Sequence, residues 1–477
     1  MKVQFEASEY QADASFKPAR YAFEGDEDRG WEVTRNGRTH LGLGPGYRLL
    51  QTIGCGVCST DLARQFLPFP LPQITGHEIV ARDENGNRFA VEINATFTAR
   101  NVPSSCPFCL QGLDKHSPER LVLGIHDLPG GFGPYVLVPV NAAIPLPPQI
   151  ENDTAILLEP FAAALHAVRT IDLCRGDRIA VLGPRRLGML VVAALAALRR
   201  EAHLDYSITA LARRRPLLDL ALNLGADAGS IVEGDGSAMK DDQFDVVIDT
   251  TGTPAGFDLA IRFATREVHL KSTHGQLSGG ITHTTEMVVD EIQVRPFPDS
   301  RSGLPVTTRR PVVAWMLEDD PPDWLCEDAD IRRGSGASIL TQLEAEPPSN
   351  GLPRAEIAVV ADGAELDEAI RPVPDREVSV LRPRGSILVT QSGSPGESGL
   401  IDAVAGKGLT ISTSRCGDLR DAIDLFLKQP ELMTLGRSMI SHRFTHSADD
   451  MEHVFDTARS SDCIKAAVWH SAEQCAQ

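Results

Sequence analysis

The sequence lacks an apolar segment long enough to cross a membrane. Its longest apolar run, residues 187–198, is shorter than the roughly 20 residues that a spanning helix needs. The first ten residues lack the basic start and apolar core of a signal peptide. Basic residues are also scarce, at 46 against 65 acidic ones, and the net charge of −19 argues against general nucleic-acid binding. We therefore expect a soluble protein with no membrane partner and no nucleic-acid partner.

A regular cysteine framework is also missing. The chain has nine cysteines in 477 residues, an odd number without the even, patterned spacing of a disulfide scaffold. This usage predicts a reducing compartment, with the cytoplasm as the expected location, and metal or packing roles for the thiols. A chain of this length exceeds a single hydrophobic core, so two or three domains are expected.

What the sequence does contain is a run of metal-ligand residue types between residues 55 and 78. Cys58 is followed by Thr60 and, some twenty residues from the thiol, by a Gly-His-Glu triplet that holds His77 and Glu78. Thiolate, imidazole and carboxylate are zinc ligand types, and three protein ligands with one open position make a catalytic site. A single cysteine such as Cys58 more often packs in the hydrophobic core. The order and spacing of the thiol, the imidazole and the carboxylate together nevertheless favour a zinc site.

These residues carry a family resemblance. G-V-C-S-T-D followed by G-H-E resembles the zinc-dependent medium-chain alcohol dehydrogenases, which include the sorbitol, threonine and glucose dehydrogenases. L-E-P-F at residues 158–161 lies where the polyol branch carries its further zinc-site carboxylate. The resemblance implies that Cys58, His77 and Glu159 bind the catalytic zinc and that Glu78 is an alternate or outer carboxylate.

The resemblance also implies roles for two neighbours of the thiol. Thr60 would pass the proton of the substrate hydroxyl outward, and Asp61 would orient the loop rather than react. The implied reaction is the reversible oxidation of a small alcohol or polyol to a ketone or aldehyde, with zinc as Lewis acid and a nicotinamide dinucleotide as hydride acceptor. Family members commonly form homo-oligomers, so a homo-oligomer is expected here.

The implied fold class is α/β, with a GroES-like β-rich catalytic domain, a Rossmann doubly wound parallel sheet and an insertion of about 100 residues. The expected domains are residues 1–160 (GroES-like), 161–295 (Rossmann), 296–407 (insertion) and 408–477 (a segment returning to the catalytic domain). The resemblance covers residues 45–295 and 408–470. The pattern of residues 1–45 predicts strands that lead into the GroES-like domain, together with a loose N-terminal extension.

Two parts of the insertion differ in pattern. Residues 296–350 are rich in Pro, Asp and Glu and predict loop. Residues 355–390 echo the apolar pattern of residues 244–273 and indicate a possible partial internal repeat of a strand–helix–strand unit. Because any two such units look alike at this level, convergence explains the echo equally well.

A second cysteine pair raises the question of a structural zinc. The family has a lobe of four cysteines, and aligning C-L-Q-G places Cys106 and Cys109 on the second and third of them. Pro103 falls on the first position and Ser117 on the fourth. Two thiolates do not close a four-ligand site, and His116 would be needed as a third ligand. The sequence therefore predicts that the structural zinc is lost.

The dinucleotide fingerprint is incomplete. G-P-R-R-L-G follows an apolar strand at residues 178–182, so Gly183 and Gly188 satisfy the outer glycine positions while Arg185 replaces the middle one. In the fingerprint the middle glycine lets the backbone approach the pyrophosphate. Two outcomes are open. The pyrophosphate of the dinucleotide lies farther from the backbone of this turn, with Arg185 as a direct cationic partner, or dinucleotide binding is impaired.

The second strand of this unit predicts the cofactor. It ends in Arg213, Arg214 and Arg215, where an acidic residue would accept the ribose hydroxyls of NAD. Arginines at this place can pair with a 2′-phosphate, although a solvated basic turn has the same pattern. NADP is therefore the predicted cofactor beside Zn²⁺, with NAD as the alternative.

Two other functions remain open. The chain could be a lapsed family member that binds zinc or nucleotide without turnover, which Arg185, the missing cysteines and the insertion favour. It could also be a zinc-independent reductase of enones or quinones, which would have no reason to keep Cys58, His77 and Glu159 together. Metal content separates the second alternative from a zinc dehydrogenase, and turnover with NADP separates both enzymes from the lapsed protein.

Overall fold

The computed structural model describes residues 1–272, 276–305, 310–349, 351–371, 378–390, 399–446 and 450–470. The chain forms two compact units, Met1–Ala162 with Gly417–Gln477, and Ala163–Cys416. Within the described ranges, no helix has both the length and the apolar character needed to span a membrane.

The first unit begins with an antiparallel sheet in the order β1-β2-β3-β4. Its strands are Lys2–Tyr10 (β1), Phe16–Asp26 (β2), Gly30–Arg35 (β3) and Arg38–Leu43 (β4). Along β2, the buried Ala19, Tyr21 and Phe23 alternate with exposed Arg20 and Glu24, which is the two-residue period of a strand with one buried face. The loose extension predicted for residues 1–45 is therefore wrong, because the charged residues line the outer face of a paired sheet.

The β-rich core of the first unit follows. Its elements are Tyr47–Gly56 (β5), Ser59–Leu62 (α1), Glu78–Arg82 (β6), Arg88–Val91 (β7), Asn94–Ala95 (β8), Pro107–Leu110 (α2), Leu121–Val122 (β9), Tyr135–Pro139 (β10), Ala143–Pro145 (β11) and Asn152–Ala155 (α3). β5 pairs antiparallel with both β6 and β10. The candidate zinc segment therefore leaves the end of β5 and returns into its partner strand β6.

The second unit begins as a parallel α/β sheet. The elements from the unit boundary onward are Leu158–Thr170 (α4), Arg178–Leu182 (β12), Arg186–Ala202 (α5), Ser207–Ala212 (β13), Arg215–Asn223 (α6), Ala228–Ile231 (β14), Phe244–Asp249 (β15), Pro254–Phe263 (α7) and Ala264–Leu270 (β16). The strand order β14-β13-β12-β15-β16 is that of a Rossmann sheet. The strand predicted over residues 178–182 is confirmed.

The same sheet continues through and around the predicted insertion, residues 296–407. The elements after β16 are Thr284–Val289 (α8), Gln293–Pro296 (β17), Val312–Trp315 (β18), Asp323–Asp328 (α9), Asp330–Arg333 (β19), Gly336–Ala345 (α10), Ala355–Val360 (β20), Gly363–Ile370 (α11), Leu381–Val389 (β21), Gly399–Lys407 (α12) and Thr410–Thr413 (β22). The order beyond β16 is β22-β17-β21-β20-β18-β19. The loop predicted for residues 296–350 is wrong where β18, α9, β19 and α10 lie. The prolines after β17 fall in the connections, whereas acidic residues such as Asp323, Asp330 and Glu344 lie within the elements themselves.

Residues 355–390 form the strand–helix–strand unit that the sequence echo predicted, apart from residues 372–377, which lie outside the described residues. β20-α11-β21 repeats the arrangement of β15-α7-β16. The strand that follows each unit in the chain pairs in the sheet with the last strand of the other unit. β17 pairs parallel with β21, whereas β22 pairs parallel with β16. The two exchanged strands meet antiparallel at Val294 and Ile411. Whether the likeness reflects duplication or convergence stays a hypothesis.

The C-terminal segment completes the first unit. Its elements are Leu419–Lys428 (α13), Leu435–Met439 (α14), Ile440–Thr445 (β23), Met451–Arg459 (α15) and Lys465–Trp469 (β24). β24 pairs antiparallel with β5 and extends the sheet β11-β7-β6-β5-β24-β23. The predicted α/β class is confirmed, and β24 brings a lysine, Lys465, beside the candidate zinc segment.

Candidate active site

The carboxylate of Asp61 accepts hydrogen bonds from both ends of the segment that follows β5. The backbone N–H of Cys58 donates to Asp61 Oδ2 over 2.8 Å, and the backbone N–H of Gly76 donates to Asp61 Oδ1 over 3.0 Å. Asp61 is 1% exposed, so these bonds form away from competing water. Asp61 therefore joins the start of the loop to the Gly-His-Glu triplet, as expected of a residue that orients the loop.

His77 lies at the centre of this arrangement. It is buried, and its Nδ1 atom is 3.3 Å from Asp61 Oδ1. Burial alone would lower the pKa of His77, but the charges of Asp61 and Cys58, and hydrogen bonds to both, raise that pKa well above its ordinary value. The imidazole therefore stands between a thiol and a carboxylate, and two of the predicted zinc ligands, Cys58 and His77, are neighbours.

Thr60 lies beside the same thiol. The Cys58 Sγ–H donates to Thr60 Oγ1 over 3.7 Å, at the first turn of α1. The two side chains are brought together because Cys58 precedes the helix as its N-cap and Thr60 is the second residue within it. The hydroxyl predicted to carry a proton thus adjoins a predicted ligand.

Glu78 has a partner that sequence reasoning missed. Its carboxylate forms an ion pair with the Nζ of Lys465, and both side chains are almost fully buried, at 1% and 3% exposed. The pair exists because β6 and β24 both flank β5. A buried carboxylate needs such a counter-charge, and its presence favours the outer role for Glu78 over direct metal binding. A single lysine in the last strand gives no sequence signal for this contact.

Glu159 lies in the first turn of α4. Burial raises the pKa of its carboxyl to about 7, the charges of His77 and Lys465 oppose the rise, and those of Glu78 and Glu92 add to it. Glu159 is thus electrostatically coupled to the predicted site. Within the described part of the chain, however, no three His, Cys, Asp or Glu side chains are grouped so that they could hold a metal ion.

The second cysteine pair lies at the start of α2. The Cys106 Sγ and the Ser117 Oγ are 3.3 Å apart, so the serine aligned with the family's fourth cysteine does face the lobe. Burial raises the pKa of Cys109 to about 11, and Cys106 adds to the rise. His116 is buried rather than on the surface, where a histidine near such a lobe is more often found. Loss of the structural zinc stays a prediction.

The predicted phosphate turn lies between β12 and α5. Gly183 has a φ of +74°, and a Cβ there would approach the Cγ2 of Thr251 to 2.6 Å. A Cβ on Gly188 would collide with the hydroxyl of Thr250, which itself donates to the carbonyls of Leu182 and Gly183. Both outer glycines are therefore required by close contacts with the end of β15.

The arginines predicted to contact the cofactor lie at the carboxyl edge of the same sheet. Arg185 is the N-cap residue of α5, with φ −129° and ψ −119°. Arg213, Arg214 and Arg215 follow β13, and Arg215 pairs with Asp219 over 2.9 Å on the exposed side of α6. Ligands of open α/β sheets bind at this edge, so these positions are compatible with dinucleotide contacts.

Comparison with known proteins identifies the architecture. The alcohol dehydrogenase GroES-like domain matches residues 44–148. L-threonine 3-dehydrogenase of Rhizobium etli is 27% identical over 234 residues, which cover 46% of this chain and 63% of that enzyme. L-galactonate-5-dehydrogenase of Escherichia coli is 31% identical over 160 residues, covering 30% of this chain and 43% of the relative.

Among solved structures, a zinc-binding dehydrogenase of Sinorhizobium meliloti bound to NADP resembles the whole chain. It has a TM-score of 0.53 at 18% identity and covers 98% of this chain and 99% of its own. The chain spans less than two thirds of the length of the two curated relatives. Residues 44–148 thus match an alcohol dehydrogenase GroES-like domain, and the chain as a whole has the fold of this dehydrogenase, with a GroES-like domain and a Rossmann sheet.

Proposed function

We propose that this protein is a zinc-dependent oxidoreductase that interconverts a small alcohol or polyol and its carbonyl form with NADP. The observation that carries the proposal is the arrangement of Cys58, His77 and Asp61. The thiol and the imidazole are neighbours, and the buried carboxylate of Asp61 contacts both the Cys58 backbone and the His77 ring. The relatives named above act on threonine and galactonate, which makes a secondary alcohol the class of substrate.

A zinc ion fits this site by the chemistry of its donors. Cys58, His77 and Glu159 would hold it, and they supply the thiolate, imidazole and carboxylate that zinc prefers. Bound there, zinc would act as a Lewis acid toward the substrate oxygen while hydride passes between the substrate carbon and the nicotinamide. Glu78 would stay outside the ligand set because Lys465 already neutralises its charge.

The chain's own residues would position and move the proton. Asp61 accepts the hydrogen bonds of Cys58 and Gly76 and orients the ring of His77. Oxidation of an alcohol releases the hydroxyl proton, and Thr60, 3.7 Å from the Cys58 thiol, would receive it. A hydroxyl serves this purpose because it accepts one proton while donating another.

Arg213 provides a test of the cofactor. Arg213→Ala is expected to raise the Kd for NADPH about tenfold and to leave the Kd for NADH within a factor of two, because only NADPH carries the 2′-phosphate. Arg215→Ala is the matched control, since its guanidinium is engaged by Asp219, and a smaller effect is expected. Titration of nicotinamide fluorescence measures both constants. An equal loss for NADPH and NADH on Arg213→Ala would contradict the assignment.

The proposed activity is tested by following dinucleotide reduction at 340 nm. Purified protein supplied with zinc and NADP⁺ is screened against threonine, galactonate, sorbitol, butanediol and simple secondary alcohols, with NAD⁺ in parallel. Turnover that a chelator abolishes and zinc restores is the expected result. Turnover that survives chelation would favour a zinc-independent reductase instead.

A second candidate is a family member that binds zinc or nucleotide without turnover. Arg185 favours it, because this side chain stands where a glycine lets the pyrophosphate approach the backbone. Tight NADPH binding together with no turnover on any alcohol of the screen would support this candidate and overturn the proposed activity.

A further inference from the structure

The first unit holds two thiols that the proposed alcohol oxidation does not use. C-P-F-C spans residues 106–109, where Cys106 is the N-cap residue of α2, Pro107 opens the helix and Cys109 follows within the first turn. Side chains three residues apart on a helical turn are neighbours. We name Cys106 and Cys109 the thiol pair.

The members of the thiol pair contact each other and two hydroxyls. Cys109 donates a hydrogen bond to Cys106, and Ser117 Oγ is 3.3 Å from Cys106 Sγ. The Ser104 hydroxyl donates to Cys109 and accepts the backbone N–H of Cys106 over 3.0 Å. Each thiol thus has the other thiol and one serine as neighbours.

Short backbone turns bring these side chains together. The backbone N–H of Leu113 donates to the carbonyl of Phe108 over 2.8 Å, and that of Ser117 donates to the carbonyl of Asp114 over 3.1 Å. The chain therefore folds back after α2 and returns Ser117 to the thiol pair. Ser104 reaches the pair locally, because it precedes the first thiol by only two residues.

These neighbours do not complete a zinc site. A closed structural site has four thiolate or imidazole ligands, and the thiol pair supplies two. His116 would raise the count to three, one short of a closed site, and the hydroxyls of Ser104 and Ser117 are not ligands of such sites. In a reducing compartment a C-x-x-C pair serves as a metal site or as a redox site, which leaves redox chemistry as the use of the thiol pair.

The hydrogen bonds make the two thiols chemically unequal. Burial raises the pKa of Cys106, but hydrogen bonds from Ser117, from two backbone N–H groups and from Cys109 outweigh burial and lower that pKa. Burial raises the pKa of Cys109 to about 11, and Cys106 and Asp114 add to the rise. Cys106 is therefore the thiol that ionises first, and Cys109 keeps its proton.

The two thiols also differ in exposure. Cys106 is 5% exposed, whereas Cys109 is half-buried. Exposure of this extent limits Cys106 to small reactants such as hydrogen peroxide, while Cys109 is open to larger thiols. Oxidation and reduction can therefore begin at different sulfurs.

We propose that Cys106 and Cys109 form a redox site, which a peroxide oxidises to a disulfide and a small thiol reduces again. This inference goes beyond the proposed alcohol oxidation and does not depend on it. Redox-sensing cysteines have thiolate character and a resolving cysteine beside them. In the thiol pair, Cys106 is the reacting cysteine and Cys109 is the resolving one.

Atoms and electrons balance in the oxidation. The Cys106 thiolate attacks one oxygen of hydrogen peroxide, the O–O bond breaks, and a sulfenic acid and a hydroxide ion form. The sulfur of Cys109 then bonds to that of Cys106 and displaces the sulfenic hydroxyl, which leaves as water with the Cys109 proton. Because the first hydroxide takes up the proton that Cys106 released on ionisation, two thiols and one peroxide have become one disulfide and two waters.

Reduction breaks the disulfide through the other sulfur. The thiolate of glutathione attacks Cys109, the S–S bond breaks, and Cys106 leaves as a thiolate. The thiol of lower pKa is the better leaving group, so the hydrogen bonds that favour oxidation at Cys106 also favour this direction of attack. A second glutathione thiolate attacks the mixed disulfide, frees Cys109 and leaves as glutathione disulfide.

The test treats the reduced full-length protein with hydrogen peroxide, alkylates the remaining thiols after unfolding and maps them by peptide mass spectrometry. Cys106 and Cys109 are expected to lose alkylation together, as an intramolecular disulfide that reduced glutathione reverses. Cys174, which is exposed in the second unit, is the control for the reactivity of a surface thiol. Separate oxidation of Cys106 and Cys109 to sulfinic acids, or retention of both thiols at a peroxide dose that oxidises Cys174, would overturn the proposal.

Two variants separate the roles of the thiols. In Cys109→Ser, dimedone labelling of the Cys106 sulfenic acid is expected to rise about tenfold over the wild type, because a thiol in contact acts at a far higher effective concentration than a free reagent. In Cys106→Ser, Cys109 is expected to stay reduced at the same dose. Unchanged dimedone labelling in Cys109→Ser, or a second zinc atom that Cys106→Ser releases, would overturn the proposal. The wild-type disulfide decides the question if a variant does not fold.

Discussion

Replacing Cys58 by alanine is expected to lower kcat/KM for alcohol oxidation by about 10³-fold while leaving NADPH binding intact. A Lewis-acid zinc contributes several kcal/mol of transition-state stabilisation, and each 1.36 kcal/mol corresponds to a factor of ten in rate. Dinucleotide binding is spared because the phosphate turn belongs to the second unit and the thiol to the first. Steady-state kinetics and NADPH fluorescence titration measure the two quantities.

Cys109→Ala is the matched control for this result. It removes another thiol of the same unit, outside the group formed by Asp61 and His77, and is expected to change kcat/KM less than threefold. Comparable losses in both variants would show that the effect of Cys58→Ala comes from general destabilisation. Retention of full activity by Cys58→Ala would remove the thiol from the mechanism.

Replacing Lys465 by methionine is expected to lower the free energy of unfolding by about 3–5 kcal/mol, because it leaves the carboxylate of Glu78 buried without its counter-charge. Both groups of this pair are almost fully excluded from solvent, so water cannot substitute for the lost partner. Urea unfolding followed by circular dichroism measures the change in the first unit.

The double variant Lys465→Met with Glu78→Leu controls for the loss of the lysine itself. Replacing both charges of a buried pair by apolar groups is often neutral or stabilising, so most of the stability is expected to return. The double variant also remains measurable if the single variant does not fold. A double variant no more stable than Lys465→Met would mean that the ion pair is not the source of the effect.

The elements near the proposed chemistry could be predicted from the sequence because their signals are local. The strand at residues 178–182 is an apolar run that a buried parallel strand requires, and the glycines around it mark the turn. The metal loop is equally local, since Cys58, Asp61 and His77 lie within one short segment that leaves β5 and returns in β6.

Other features could not be predicted because their partners are distant in the chain. Glu78 meets Lys465 only after β24 has paired with β5, and His269 meets Ser412 only after β22, which follows the insertion, has paired with β16. The first two strands of the insertion, β18 and β19, were missed for a different reason. Val312–Trp315 and Asp330–Arg333 are four residues each, too short for a periodic pattern between prolines and acidic residues.

The zinc content of the native protein tests the central claim most directly. Elemental analysis of freshly purified protein, prepared without chelator, is predicted to find one zinc per chain, held by the site that contains Cys58 and His77. Two zinc atoms per chain would show that Cys106 and Cys109 keep a structural site. Protein that contains no zinc and takes up none when it is supplied would contradict the proposed mechanism.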